Sequence, residues 1–352
     1  MQRWIVAALI LIMACSLFLG CEKKDTYEIA LITDMGNIDD KAFNQGAWEG
    51  ITAYAASSGK TYSYYRPYEN TDSARLETIG GAVRAGAKVI VCPGSMFGSV
   101  GEAVQKEYPK VSFLLLDVSV NDMTPASNTA LITYREEQSG YFAGYAAVKD
   151  GYRKLGFMGG VAVPAVVRFG YGYLEGANDA AKELGVADAV EVKYWYSDSF
   201  TMSDSIRDRM KTWYASGTEI VFACGGSIYL SAVAAAEETG GRVIGVDRDM
   251  SAESELIVTS AIKSLEPSVE KALAAFYDNG GAWPAEYAGV ETKLGAAEDS
   301  VGIPTAEAAW RFQTFTVAEY EALYQKVHTG EIAISDAVDA APEVDINVDW
   351  QE

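Results

Sequence analysis

Three aspartates stand where short apolar runs of this chain end. Asp34 closes the run EIALIT, Asp117 closes VSFLLL, and Asp247 closes RVIGV. If these runs are strands of parallel sheets, their carboxyl ends lie at the edge where open α/β folds bind ligands. Carboxylates at that edge accept hydrogen bonds from hydroxyl groups, so a facing pair suits a neutral, polyhydroxylated ligand. The alternative is that each aspartate only caps the helix that follows it.

The first of these runs leads into a polar loop and an amphipathic helix, in the sequence EIALITDMGNIDDKAFNQGAWEG. Apolar residues recur at helical spacing after the loop, and Asp39 or Asp40 can cap the helix. This order predicts that Asp34, Phe43 and Asn44 share one rim of a sheet. A purely structural role for all three, as turn and core residues, stays open at this point.

The remaining residues offer little for covalent, metal or phosphate chemistry. The single histidine is His328, and no Gly-x-Ser-x-Gly elbow or Cys/His cluster with metal spacing occurs. No glycine-rich loop ends in Lys-Ser or Lys-Thr, which argues against a phosphate cradle. We therefore expect a protein that is not an enzyme and that holds no metal and no cofactor.

One enzyme class stays as an alternative. Nucleoside hydrolases carry an aspartate cluster similar to TDMGNIDD, which holds calcium and ribose. Here Ile32 occupies the place of the first aspartate of that pattern, and the spacing from glycine to the aspartate pair is one residue too long. A calcium site built on this segment would lack a ligand.

The N-terminus reads as a signal peptide that ends at a cysteine. In residues 1–20 a near-continuous apolar run follows Arg3, and charged residues come directly after Cys21. A small residue before cysteine is similar to a bacterial lipobox, which predicts a lipidated Cys21 and a tether over 21–27. Cys15 is a competing site, but the apolar residues after it belong in a signal core.

The composition limits the partners further. The net charge of −21 argues against nucleic acid and anionic lipid surfaces as partners. Cys92 and Cys224 stand in apolar runs, so we expect buried thiols and no disulfide framework. No second apolar run is long enough to cross a bilayer. We expect a monomer on the extracytoplasmic face of the cell membrane, held there by a lipid anchor.

Apolar runs alternate with amphipathic segments throughout the chain, which indicates βα units and parallel sheets. The predicted strands form two sets of five with the same rhythm: 28–34, 61–67, 88–94, 111–117 and 128–134, then 154–160, 189–196, 219–226, 242–247 and 256–262. Repeated halves of this size predict an α/β protein with two doubly wound parallel-sheet lobes. A (β/α)8 barrel is the rival, disfavoured because the fifth run of each set follows the fourth too closely for a helical crossover.

The fifth runs and a strand-like segment, EYAGVETKLGA, are better placed as connections between the lobes. We expect three crossings, near residues 132, 262 and 292, which form a three-strand hinge. The expected division is residues 28–131 plus 263–291 for lobe 1, and 132–262 plus 292–352 for lobe 2. The acidic tail from 335 to 352 is expected to lie along the surface.

Eight segments of the chain occur in the order expected of one known family: TDMGNIDDKAFNQGAWEGI, FLLLD, REEQSGYFAGYAA, LGFMGG, FACGG, IGVDRD, TSAIK and VGIP. On these motifs the chain resembles the BMP (basic membrane protein) family of substrate-binding lipoproteins. The resemblance implies a type I periplasmic binding protein fold. It also implies that the protein binds a small molecule, with purine nucleosides the best-understood ligands, and passes it to an ABC permease with its ATPase.

The resemblance also implies roles for individual residues. Phe43 and Phe200 would stack on the two faces of a base, with Asn44 reading its edge and Asp34 lining the same pocket. The remaining implied contacts hold the sugar: Asp117 and Asp247 bind ribose hydroxyls, Gly226 offers backbone, and Lys263 pairs with an acid or a hydroxyl.

The chain departs from the purine receptors of this family at several places. It has Cys-Gly-Gly-Ser-Ile over 224–228 where they carry Ala-Gly-Gly-Thr-Gly, which would bring Ile228 towards the ligand. Arg168 stands near the rim of lobe 2, and 194–196 is unusually aromatic. Another heterocycle such as riboflavin, or a sensory surface lipoprotein without transport, therefore stays as an alternative.

Overall fold

A computed structural model describes residues 26–352 of the chain. The predicted signal peptide and the lipidation site Cys21 lie outside the described residues. Within residues 26–352, no helix combines the length and apolarity that a membrane crossing needs.

The strands of the first half confirm the expected rhythm: β1 (Ile29–Ile32), β2 (Tyr62–Tyr65), β3 (Val89–Pro93), β4 (Ser112–Leu116) and β5 (Thr129–Tyr134). Those of the second half are β6 (Lys154–Gly159), β7 (Glu191–Tyr196), β8 (Ile220–Cys224), β9 (Arg242–Asp247) and β10 (Ile257–Lys263). All ten predicted strands are present, with ends within two residues of the expected ones. Three shorter strands follow: β11 (Glu291–Leu294), β12 (Val301–Gly302) and β13 (Asn347–Trp350).

Helices connect the strands and cover the sheets. They are α1 (Phe43–Ser58), α2 (Asp72–Arg84), α3 (Gly98–Glu107), α4 (Glu136–Lys149), α5 (Pro164–Leu184), α6 (Asp204–Ala215), α7 (Tyr229–Thr239), α8 (Leu265–Asp278) and α9 (Val317–His328). Asp40 caps α1, because its carboxylate accepts hydrogen bonds from the backbone N–H groups of Ala42, Asn44 and Gln45.

Two separate sheets form two lobes. The first has the strand order β11-β5-β4-β3-β1-β2, and the second has the order β12-β10-β9-β8-β6-β7-β13. All pairings are parallel except that of β12 with β10. In each lobe the order reverses beside the first strand of the set, so the switch points lie between β1 and β3 and between β6 and β8. The fold is the predicted pair of doubly wound lobes and not a barrel.

The chain passes between the lobes after β5, after β10 and after β11. Residues 132–134 and 292–294, which the sequence assigned to lobe 2, pair with each other in the first sheet. Lys263, assigned to lobe 1, ends β10 in the second sheet. Each of these strands thus stays paired within its own sheet up to its last residue, and the chain crosses to the other lobe only after that residue. Tyr134 and Ser268 share a hydrogen bond of 2.5 Å between their hydroxyls, which ties two of the crossings together.

Helices α4 and α5 cross in direct backbone contact. A Cβ at Gly140 would lie 2.0 Å from the carbonyl oxygen of Phe169, and one at Gly144 would lie 2.1 Å from that of Tyr173. Gly172 and Gly176 are equally restricted from the other side, by the carbonyls of Glu137 and Tyr141. Glycine at these positions lets the backbones of the two helices touch. This contact connects the start of α4, at the hinge, to α5 in the second lobe.

The tail contains a strand that the sequence analysis missed. Residues 347–350 form β13, which pairs in parallel with β7 and covers the outer edge of the second sheet. Trp350 packs on Tyr194 with ring centroids 4.5 Å apart. A four-residue strand with mostly exposed side chains carries little periodicity, so only the open edge of β7 could have predicted it.

Candidate ligand-binding site

A cavity of about 270 Å³ lies between the lobes, beyond the carboxyl ends of both sets of strands. All eight predicted ligand contacts line it: Asp34, Phe43, Asn44, Asp117, Phe200, Gly226, Asp247 and Lys263. The first lobe supplies the first four of these, and the second lobe supplies the others. Among the described residues, no group of three or more His, Cys, Asp or Glu side chains is arranged to hold a metal ion.

Phe43 and Phe200 reach this cavity from opposite lobes. Phe43 begins α1, and Lys263 Nζ lies 4.4 Å from the centre of its ring. Phe200 stands in the loop after β7, where its ring packs against glycine backbone: a Cβ at Gly160 would lie 2.4 Å from its Cδ1 and one at Gly225 would lie 2.8 Å from it. The glycines of the second rim therefore make room for Phe200.

Gly226 belongs to this packing as well. Its φ is +51°, and a Cβ there would lie 2.5 Å from the carbonyl oxygen of Phe200. The expected role was to offer backbone to a sugar. In the structure Gly226 still lines the cavity, but its lack of a side chain is required by the Phe200 loop.

Asp34, Asn44 and Asp40 form a hydrogen-bonded unit on the wall of the first lobe. The Asn44 amide nitrogen donates to Asp34 Oδ1 at 2.8 Å and to Asp40 Oδ2 at 2.8 Å. The backbone N–H of Asp34 donates to Asn44 Oδ1 at 3.3 Å. Since both amide hydrogens of Asn44 are used within the lobe, it has no donor left to read a base edge. Asn44 instead orients Asp34, whose Oδ2 remains available as an acceptor.

Asp117 and Asp247 follow β4 and end β9, so they occupy equivalent places in the two lobes. Both take the left-handed backbone conformation, with φ of 58° and 68°. This conformation is uncommon outside glycine and is found at ligand sites when the surroundings enforce it. Asp117 Oδ1 is buried without a hydrogen-bond partner among the described residues. It is a free acceptor at the cavity.

Lys263 connects the two aspartates at the hinge. Its Nζ lies 2.7 Å from Asp117 Oδ2, 3.2 Å from Glu136 Oε1 and 3.8 Å from Asp247 Oδ1. The side chains of Lys263 and Glu136 are 1% and 0% exposed. Buried charges of this kind persist only when they are paired. One lysine thus links one carboxylate from each lobe to a third at the first crossing.

Burial dominates the protonation of this cluster. It raises the pKa of Asp34 and of Asp117 to about 6, and that of Asp247 to about 7. Burial alone would lower the pKa of Lys263, but the carboxylates around it raise it. The site therefore contains three carboxyl groups that titrate near neutral pH beside a permanent cation.

Of the departures noted in the sequence, Cys224 and Ser227 line the cavity, whereas Ile228, Arg168 and residues 194–196 do not. Ile228 is fully buried in the core and does not line the cavity. Contrary to the expectation, it does not narrow the ligand space. Tyr194 is buried, and Trp195 packs on Trp213 at 6.5 Å. Cys224 lines the cavity and, like Cys92, is a free buried thiol, as predicted.

The sequence analysis did not predict several residues that line the cavity. Arg66 stands directly after β2, and its Nη2 donates to the carbonyl oxygen of Met35 at 2.9 Å. The strand-end rule used for the aspartates would have found it. Met96 follows β3, and Val166 and Phe169 stand in the first turns of α5. No local pattern separates these apolar residues from core residues.

The comparisons with known proteins agree with this geometry. A sequence model of the Bmp family, described as "ABC transporter substrate-binding protein PnrA-like", matches residues 28–337. This chain belongs to the Bmp family. The ABC transporter nucleoside-binding protein BmpA of Lactococcus lactis subsp. cremoris is 26% identical over 70% of this chain and 74% of that protein. Basic membrane protein A1 of Borrelia garinii subsp. bavariensis is 29% identical over 74% and 77% of the two chains.

A solved structure supports the fold of this Bmp protein. An ABC transporter solute-binding protein from Aeropyrum pernix superimposes with a TM-score of 0.76, at 20% identity, over 88% of this chain and 94% of that one. The resemblance stated from the motifs is confirmed, and so is the type I periplasmic binding protein fold. The chain is an ABC transporter substrate-binding protein.

Proposed function

We propose that this Bmp protein is a lipid-anchored, extracytoplasmic receptor that binds a purine nucleoside between its lobes and delivers it to an ABC permease. The observation that carries the proposal is the composition of the cavity. Two phenylalanines reach it from opposite lobes, and two carboxylates stand at equivalent strand ends. Aromatic rings stack on bases, and carboxylates accept hydrogen bonds from sugar hydroxyls.

The charges favour a nucleoside over a nucleotide. Lys263 is surrounded by three carboxylates, and Arg66 donates to a backbone carbonyl. These two are the only cations that line the cavity among the described residues, against five aspartates. A phosphate group would meet excess negative charge there, because the five aspartates outnumber these two cations.

The name of the Lactococcus relative supports the same ligand class, since that protein is described as nucleoside-binding. Closure would follow from contacts that the ligand makes with both lobes at once. A ligand shifts an open–closed equilibrium only through its difference in affinity for the two states. Phe43 and Asp117 on one side, with Phe200 and Asp247 on the other, provide such shared contacts.

Mass spectrometry of the small molecules released from freshly purified, denatured protein tests the proposal. We expect a purine nucleoside at a molar ratio near one, and competition among inosine, adenosine and guanosine in calorimetry. Riboflavin or a free sugar in its place would contradict the ligand class. Release of free base and ribose from added nucleoside would contradict the receptor function.

A further inference from the structure

Arg168 lies near the start of α5 and is not part of the cavity wall, yet it contacts the charged cluster at the hinge. Its Nε donates to Glu136 Oε2 at 2.7 Å. The other oxygen of the same carboxylate, Oε1, accepts from Lys263 Nζ at 3.2 Å. Lys263 in turn donates to Asp117 Oδ2 at 2.7 Å. Arg168 is therefore two contacts away from a residue of the proposed binding site.

We propose that Arg168 is a positioning residue for ligand binding, which holds Glu136 so that the Lys263 ammonium stays between the carboxylates of the two lobes. The inference rests on the proposed function and concerns the same site. A carboxylate is planar, so fixing Oε2 at the guanidinium also fixes where Oε1 meets Lys263.

The electrostatics of Glu136 agree with this role. Burial alone would raise the pKa of Glu136, but Arg168 and then Lys263 hold it below its ordinary value. Glu136 thus stays ionised and takes one of the N–H donors of Lys263. If it took up a proton, that donor would turn to Asp247 Oδ1, which lies 3.8 Å away, and would occupy an acceptor that ligand hydroxyls need.

Charged groups from every neighbouring element surround this carboxylate. They are Glu137 on α4 itself, Arg168 on α5, Lys263 on β10, Asp117 after β4 and Asp247 at the end of β9, and Arg135, directly before α4, pairs with Glu137. Glu137 is the rival target of Arg168: it lies 3.9 Å from the guanidinium, and both of its carboxylate oxygens lack a hydrogen-bond partner among the described residues.

Three variants test the role of Arg168 when binding of inosine, adenosine and guanosine is measured by calorimetry between pH 6 and pH 8. Arg168→Met is expected to weaken binding on the order of tenfold. The loss should be larger at pH 6 than at pH 8, because an unpaired Glu136 takes up a proton as the pH falls. Arg168→Lys keeps the charge and should recover part of the affinity. The control Arg207→Met removes a partly exposed arginine outside the cavity, which pairs with Asp204 at 3.0 Å, and should leave binding unchanged.

A double-mutant cycle identifies the residue through which Arg168 acts. In a Glu136→Gln background, Arg168→Met should cause no further loss, whereas Glu137→Gln should leave the effect of Arg168→Met intact. Additive losses with Glu136→Gln, or disappearance of the effect with Glu137→Gln, would overturn the proposal.

A measurement on ligand-free protein tests the role of Arg168 without depending on which ligand the protein binds. Side-chain carboxyl NMR should show the pKa of Glu136 rising in Arg168→Met relative to the wild type. An unchanged titration would refute the positioning role whatever the ligand is. A wild type that binds none of the three nucleosides, with Glu136 shifted as expected, would instead count against the proposed function alone.

Discussion

At the scale of one residue, Asp247 combines a left-handed backbone conformation with a carboxylate that lines the cavity. Asn tolerates the same left-handed conformation but cannot accept hydrogen bonds on its amide nitrogen. We expect Asp247→Asn to weaken nucleoside binding by about 1.5–3 kcal/mol, roughly 10- to 150-fold, the range for a hydrogen bond to a charged group. Calorimetry measures the loss.

Asp299 provides the matched control. It also has a positive φ, of 51°, but it is exposed and lies outside the cavity. Asp299→Asn should keep full affinity, and both variants should unfold near the wild-type temperature. Retained affinity in Asp247→Asn would refute the assignment of this carboxylate to the ligand.

The raised pKa of Asp247 predicts opposite pH trends for stability and binding. Its pKa is about 7 in the folded protein against an ordinary 3.8, so the folded state holds this proton more tightly than the unfolded state. The resulting stabilisation is complete below pH 3.8 and is lost as the pH rises through about 7. In urea titrations, the unfolding free energy of the wild type minus that of Asp247→Asn should therefore fall as the pH rises from 3.8 to about 7.

Binding should change in the other direction. Ligand hydroxyls donate to the ionised carboxylate, so affinity should rise between pH 6 and pH 8. A wild-type affinity that falls over this interval would contradict the role of Asp247 as an acceptor.

The apolar pattern fixes the strand ends, so the sequence could place Asp34, Asp117 and Asp247 at the cavity, whereas Phe200 and Lys263 were implied only by the family resemblance. It could not predict how they pair. Asn44 was assigned to a base edge, yet its amide is used by Asp34 and Asp40, because the loop between β1 and α1 folds back over it. Hydrogen-bond partners depend on the loop path, and no periodicity encodes that path.

At the scale of elements, the loop after β7 depends on a glycine. Gly160→Ala would place a Cβ 2.4 Å from Phe200 Cδ1 and displace the ring. Stacking contributes about 1–3 kcal/mol per base in other sites, so the substitution should cost affinity on this order, as Phe200→Leu should. The measurement is calorimetry with the co-purified nucleoside.

A glycine in ordinary surroundings serves as the control for that substitution. At Gly81, on α2, a Cβ would approach only the far end of Arg84, at 3.9 Å. Gly81→Ala should leave binding unchanged. Equal affinities for Gly160→Ala and wild type would show that Phe200 does not form the second wall of the base site.

At the scale of the whole molecule, two ion pairs join the lobes outside the cavity. Glu49 on α1 lies 3.3 Å from Arg248, and Lys41 lies 3.8 Å from Glu253. Each is partly exposed and contributes about 0.2–1 kcal/mol. We expect Glu49→Gln combined with Lys41→Gln to speed ligand release by a few-fold, measured by stopped flow.

The salt dependence of ligand release provides the control for these two ion pairs. Raising the ionic strength screens exposed pairs, so release from the wild type should become faster while release from the double variant changes little. Equal salt dependence in both proteins would mean that the ion pairs do not hold the lobes closed.

The strand β13 has a consequence for the order in which the molecule is completed. It lies beyond residue 337, where the match to the family ends, and it is synthesised after the other described strands. Until it arrives, β7 is an unpaired edge and Tyr194 lacks the Trp350 ring that packs on it. An unpaired edge strand is a template for other chains. A nascent or clipped chain that stops at 337 would therefore carry an open sheet edge at β7, on the lobe that holds Phe200, and we expect it to self-associate more readily than a chain that includes β13.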